Sequence, residues 1–533
     1  MGDAGVGGAD AIVEALSARL QPLERAANEA WWLASTEVSE VHERRRVAAD
    51  VALRGALGDV AAYAQVRDAL ASSPGADAPR RRELEVLRDR LLPHQVPADI
   101  RAELAEVEAA LDATFNSFRG TIDGAAVSDN DIVAILRGSD DPEARRRAWE
   151  ASKQVGAAVA DRVRHLARLR NRAARHLGAR DHFALALATT ELDEDRLLAT
   201  LDAIDAATAT PFATWKAALD TDLARRFGTT VDDLAPWHYD DPFFQEPPVA
   251  GAIEIDAWFA GADLDALTLR TYAGLGLDVQ PVLDRSDLLP RDGKSQHAFC
   301  IDVDKAGDVR VLCNNVANEY WAETMLHEFG HAVYDVYVDT DLPWLLHDMH
   351  PLATEGIAML FGRLVRDPEW LTAVAGVPST EVQALAGALA RARRAKLLVF
   401  ARWVLVMTHF ERRLYADPDQ DLDAVWWELV GRYQGVRRPE GRARGDWAAK
   451  LHVALAPVYY QNYLYGELFA SQLQATLERE TGGLVGRPDA GAFLVDRVFA
   501  PGLSRRWDQL IEDATGAPLG VDALAAELAA LDV

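Results

Sequence analysis

Cysteine is nearly absent from this chain: of 533 residues only Cys300 and Cys313 carry a thiol. Two cysteines make no disulfide framework, and a reducing, cytoplasmic setting is expected. Lysine is scarce too, six among 56 basic residues, and the formal charge is −27 at pH 7. Such an acidic balance argues against nucleic acid and anionic membrane as partners. No run of 18 uncharged apolar residues occurs, so no transmembrane helix is expected. The start, Met1-Gly-Asp-Ala-Gly-Val6, has neither a basic n-region nor an apolar h-region, so no secretory signal is expected. Internal repeats and low-complexity tracts are also lacking.

What is present is a chain with 49% hydrophobic residues and 14 Trp, enough for a large core. The pattern is overwhelmingly helical. Long Ala/Leu/Val/Arg/Glu segments fill 9–72 and close on the breaker Ser72-Ser-Pro-Gly-Ala-Asp-Ala-Pro79. Helical runs resume from 80 to 226, with punctuation near Gly120–Ser128 and Gly138–Pro142. From 229 to 295 the chain is rich in Pro, Asp and aromatics, an irregular zone expected to form a cleft wall.

One β element stands out. His297–Val303 and Val309–Asn315 run apolar or alternate around Lys305-Ala-Gly-Asp308, a hairpin signal. With Ala306-Gly307 as a two-residue loop, Cys300 would face Cys313. Two small buried hydrophobes are preferred there to a disulfide. The edge of such a hairpin can pair with an extended peptide through main-chain hydrogen bonds.

The hairpin precedes His327-Glu-Phe-Gly-His331, and Glu355 follows the second histidine by 24 positions. Residues four apart share a helix face, so His327 and His331 can aim at one ion. Glu328 sits about 100° round the helix from His327, where it can take a proton from a zinc-activated water. Met325, Leu326, Phe329, Ala332, Val333, Val336 and Tyr337 form one apolar arc, and the histidines point away from it. Three protein ligands with an open position is the catalytic pattern for zinc. Glu355 is preferred as third ligand over His350, because the apolar-periodic stretch from Gly356 to Val365 could present it on a second helix.

Five segments in order resemble the angiotensin-converting-enzyme (peptidyl-dipeptidase A) family, within the broader thimet-oligopeptidase-like gluzincins. They are the Trp-bearing stretch Ala27–Thr36, His297-Ala298, His327–His331 with Glu355, Lys450-Leu-His452 followed by Pro457–Tyr463, and Pro501–Gly516. The resemblance implies zinc on His327, His331 and Glu355, with Glu328 as general base and then proton donor. It implies Tyr463, assisted by His452, as stabiliser of the oxyanion. It also implies that Lys450 and Tyr460 hold the substrate's C-terminal carboxylate, and that His297 and Ala298 contact substrate.

Three positions depart from the family pattern. The tyrosines lie one residue further from His452, so Tyr459 competes with Tyr460, although Tyr460 and Tyr463 keep the i, i+3 separation. Asn462 replaces a chloride-linked arginine. Met359 replaces an aspartate that supports a zinc ligand, which leaves Asp335 or Asp348 to do so. The family's carboxylate-binding glutamine has no aligned counterpart, and Gln245 is the candidate.

The expectation is therefore an all-α fold, two helical halves flanking a deep substrate cleft, with a small hairpin beside the zinc helix. A single catalytic domain would span 1–533. Within it, 9–128 would be an N-terminal lid part, 297–315 the hairpin, 321–366 the zinc-binding helices and 446–533 the part completing the site. The expected activity is a zinc metallopeptidase releasing C-terminal dipeptides from short peptides. The alternatives are a thimet-type oligopeptidase and a zinc hydrolase of small amides in specialised metabolism.

Overall fold

The structure is a computed structural model that describes residues 3–37, 39–72, 78–248 and 255–530. The centre of the breaker at 72–79 lies outside the described residues. Helices carry the chain, the longest being Asp3–Thr36, Pro142–His176, Glu194–Phe227 and Ser379–Ala416. Their ends follow local chemistry. Asp141 and Asp193 cap the second and third of these through their carboxylates, and Gly228 ends the third in the left-handed region. Among the described residues, the irregular zone after it, 229 to 295, contains short helical turns and the helix Leu264–Ala273.

Among the described residues the strands form two antiparallel pairs. One joins Phe299–Asp302 to Val309–Leu312, where the sequence places a hairpin. Its register differs from the expected one: Cys300 faces Val311, not Cys313. The loop is longer than two residues, because the closing bond from Val303 N to Asp308 O (3.0 Å) encloses four. Asp302 accepts from the backbone N of Lys305 (2.8 Å), and Asp304 from that of Ala306 (3.0 Å), so side chains build the turn. Lys305 turns inward to Glu24 (3.0 Å) and Asp348 (2.6 Å). Both thiols are free.

The other pair, Gly120–Ile122 with Ala125–Val127, falls where the sequence shows only punctuation. Its turn is Asp123-Gly124, both at positive φ (51° and 81°), the dipeptide favoured in tight hairpins.

One continuous core runs from Leu111 to Leu528 and includes the apolar face of the helix Glu319–Tyr337. The N-terminal helices have their own cluster, from Ala9 to Leu91, which is joined by Leu345. They also grip the 299–312 hairpin. The Asn28 amide donates to the carbonyls of Asp302 and Val303 (3.2 and 3.3 Å), and Trp31 stacks on Phe299 (4.5 Å).

Three helices meet at close range. Asn318 caps Glu319–Tyr337 by accepting from Trp321 N (2.9 Å), and His350 caps Pro351–Gly362, with Pro351 in its first turn. A Cβ at Gly330 would lie 2.7 Å from Ala358 Cα. One at Gly466, on Tyr460–Thr481, would lie 3.1 Å from Glu355 Cβ. Only a hydrogen at each point lets the backbones approach this far. Gly330→Ala is therefore expected to destabilise the fold by about 1–3 kcal/mol through overpacking, read as a lowered midpoint in denaturant unfolding.

Candidate active site

His327 and His331 project from the polar side of Glu319–Tyr337, with ring centroids 5.0 Å apart. Pro351–Gly362 crosses that helix and presents Glu355 to both rings. His327 Nε2 lies 3.7 Å and His331 Nε2 4.0 Å from Glu355 Oε2. One ligand atom from each of the three residues fits within 4.8 Å. The donor set suits a divalent ion on three counts. Glu355 Oε2 is buried without a hydrogen-bond partner among the described residues. Burial lowers the pKa of both imidazoles, His327 to about 4, so each is a neutral donor. Burial also pushes the Glu355 carboxyl up to about 7, a cost that a nearby cation would offset.

Supporting contacts orient these donors. Thr354 Oγ1 lies 2.6 Å from His331 Nδ1, which leaves Nε2 turned to the triad. The Tyr459 hydroxyl donates to Glu355 Oε1 (3.2 Å). Asp335 and Asp348, expected to support a ligand, do other work. Asp335 lies against Cys300 Sγ (3.7 Å), and Asp348 pairs with Lys305. His350, the alternative third ligand, caps its helix and holds the Thr190 carbonyl through Nε2 (2.7 Å). The Thr354 and Tyr459 contacts with the triad are not anticipated by the sequence, since each joins separate helices.

Glu328 is buried next to the triad. Its carboxyl is pushed up to about 8, by burial first and then by the Glu355 charge, while the backbone N–H of Cys300 pulls the other way. Glu328 and His327 open onto a cavity of about 950 Å³. His297 and Ala298 line the same cavity, as do Glu246, Pro247, Pro248 and Asp256 from the irregular zone. The segment just ahead of the hairpin strand thus faces the same space as the HExxH helix.

The remaining candidates form a second cluster. Lys450 Nζ donates to Gln245 Oε1 (2.7 Å) and sits over the rings of Phe243, Trp403 and Tyr460 at 5.6, 5.6 and 5.7 Å. Burial brings its pKa down to about 8. Gln245, which the sequence could not align, is held by its backbone N on Asp241 (3.0 Å). The His452 ring lies 4.9 Å from that of Tyr460, and its buried Nδ1 has no partner among the described residues. Burial, then the Lys450 charge, lowers its pKa to about 4.

Tyr463 bridges the two clusters. Its ring contacts Tyr459 (5.1 Å) and Tyr460 (5.5 Å). Its phenol is pushed up to about 12 by burial and by the Glu355 and Glu328 charges, so at neutral pH it is a donor. Lys450, His452, Tyr460 and Tyr463 are not in the wall of the large cavity, whose neighbour on their side is Glu246, next in sequence to Gln245.

Residues 284–530 match the family model described as peptidase family M3, and residues 6–228 match the one described as angiotensin-converting enzyme. Together the two matches cover most of the chain and support a metallopeptidase, with the HExxH helix and Glu355 inside the first match. No curated protein matches it.

Proposed function

We propose that the chain is a zinc-dependent peptidase that removes dipeptides from the C-terminus of short peptides. The observation that carries this reading is the His327–His331–Glu355 triad, with its orphaned carboxylate oxygen, beside Glu328 on a large cavity. Zinc on the triad would supply Lewis acidity at the scissile carbonyl.

The chain's own residues do the rest. With a divalent cation on the triad beside it holding its carboxyl ionised, Glu328 takes a proton from the attacking water and returns it to the leaving amine. The Tyr463 hydroxyl donates to the oxygen that becomes negative in the transition state, with His452 beyond it. The backbone at His297 and Ala298 pairs with the extended substrate. Lys450, held at a fixed place by Gln245 and three aromatic faces, meets the free carboxylate.

Amidating the substrate's C-terminus is expected to remove a charge-assisted contact of about 1.5–3 kcal/mol, or about 10- to 150-fold in kcat/KM. Lys450→Ala should cost as much with free-acid peptides and little more with amidated ones, since both changes delete one interaction. Tyr463→Phe should lower kcat on both alike. Equal rates on free-acid and amidated peptides would favour an oligopeptidase that cuts internally, a second reading supported by the peptidase family M3 match over the catalytic half.

A further inference from the structure

The buried carboxylate of Glu411 is outside the reaction described above, yet its contacts lead back to the triad. It lies among the buried residues near the C-terminal end of Ser379–Ala416 and is 1% exposed. Oε1 accepts from the backbone N of Val458 (2.7 Å), and Oε2 has no partner among the described residues. Val458 is a β-branched residue at φ 55°, a conformation such side chains rarely adopt. It is held from the other side too, since the Gln461 amide donates to its carbonyl (2.5 Å). The next residue is Tyr459, whose hydroxyl rests on Glu355 Oε1.

The geometry points to Glu411 as a positioning residue for the metal site: it fixes Val458 in the left-handed region and so aims Tyr459 at the Glu355 ligand. Without the acceptor the buried N–H of Val458 is unsatisfied, and the backbone relaxes to negative φ. That rotation turns the start of Tyr460–Thr481 and draws the Tyr459 hydroxyl off Glu355. Tyr459 then fills the supporting role that the sequence leaves open at Met359. The inference rests on the reading of the triad as a zinc site.

The test is zinc affinity of the full-length protein, by competition with a chromophoric chelator. Outer contacts of this kind are typically worth about 10- to 100-fold in metal affinity. Glu411→Leu is expected to weaken zinc binding by about 10-fold, Tyr459→Phe by a similar factor, and the double variant by no more than either alone. Glu411→Gln, whose amide oxygen still accepts from Val458 N, should bind as the wild type does. Should Glu411→Leu fail to fold, Gln461→Met removes the other restraint on Val458 and is expected to weaken binding several-fold.

Additive losses in the double variant, or Glu411→Leu and Gln461→Met binding zinc as tightly as the wild type, would overturn the inference. If the wild type itself binds no zinc, the zinc reading fails. A crystal structure of Glu411→Leu or of Gln461→Met then judges the clamp alone. Val458 at negative φ with the Tyr459–Glu355 bond broken supports it, and an unchanged Val458 and Tyr459 refutes it.

Discussion

Glu328→Gln is expected to leave zinc bound and to lower kcat by about 10²- to 10⁴-fold, the usual worth of a positioned proton carrier. The substitution keeps volume and keeps an oxygen for the Cys300 N–H, but the amide takes no proton. Because Glu328 is not one of the three converging donors, metal content should stay constant. KM should change little, since the side chain acts on the attacking water and not on bound peptide. A variant that also lost its zinc would show that Glu328 is a ligand instead.

His331→Ala is expected to act by the opposite route. It removes one of three donors and leaves Glu355 Oε2 facing a weakened site. Zinc should fall from about one per chain to a small fraction after dialysis, since catalytic sites hold the ion through three protein ligands. Thermal unfolding gives a readout free of activity. Free zinc at 100 times its Kd should stabilise the wild type by about 2.7 kcal/mol and the variant by far less. Equal stabilisation of both proteins would place the metal elsewhere.

How much of this was legible in the sequence followed the range of the interaction. His327, Glu328 and His331 share two turns of one helix, so helical geometry alone brought them together. Glu355 needed a second helix, and the apolar stretch after it supplied that, although the helix begins four residues earlier, at Pro351. The hairpin was visible as two apolar runs. Its register was not, because Lys305 is drawn into ion pairs with Glu24 and Asp348 and the loop lengthens.

The supporting contacts were the least legible. Thr354 to His331, Glu411 to Val458 and Tyr459 to Glu355 span 23, 47 and 104 residues. They are set by how Glu319–Tyr337, Pro351–Gly362, Ser379–Ala416 and Tyr460–Thr481 pack, and no local pattern encodes that. The expected supports, Asp335 and Asp348, were reasonable by residue type, but their positions commit them to Cys300 and Lys305.

The central claim is tested most directly by mass spectrometry of the products that the zinc-loaded protein releases from a mixed library of short peptides with free C-termini. Dipeptides from the C-terminus, in amounts that fall when the library is amidated, are the predicted result. A zinc-loaded protein that leaves every peptide uncut would contradict the account.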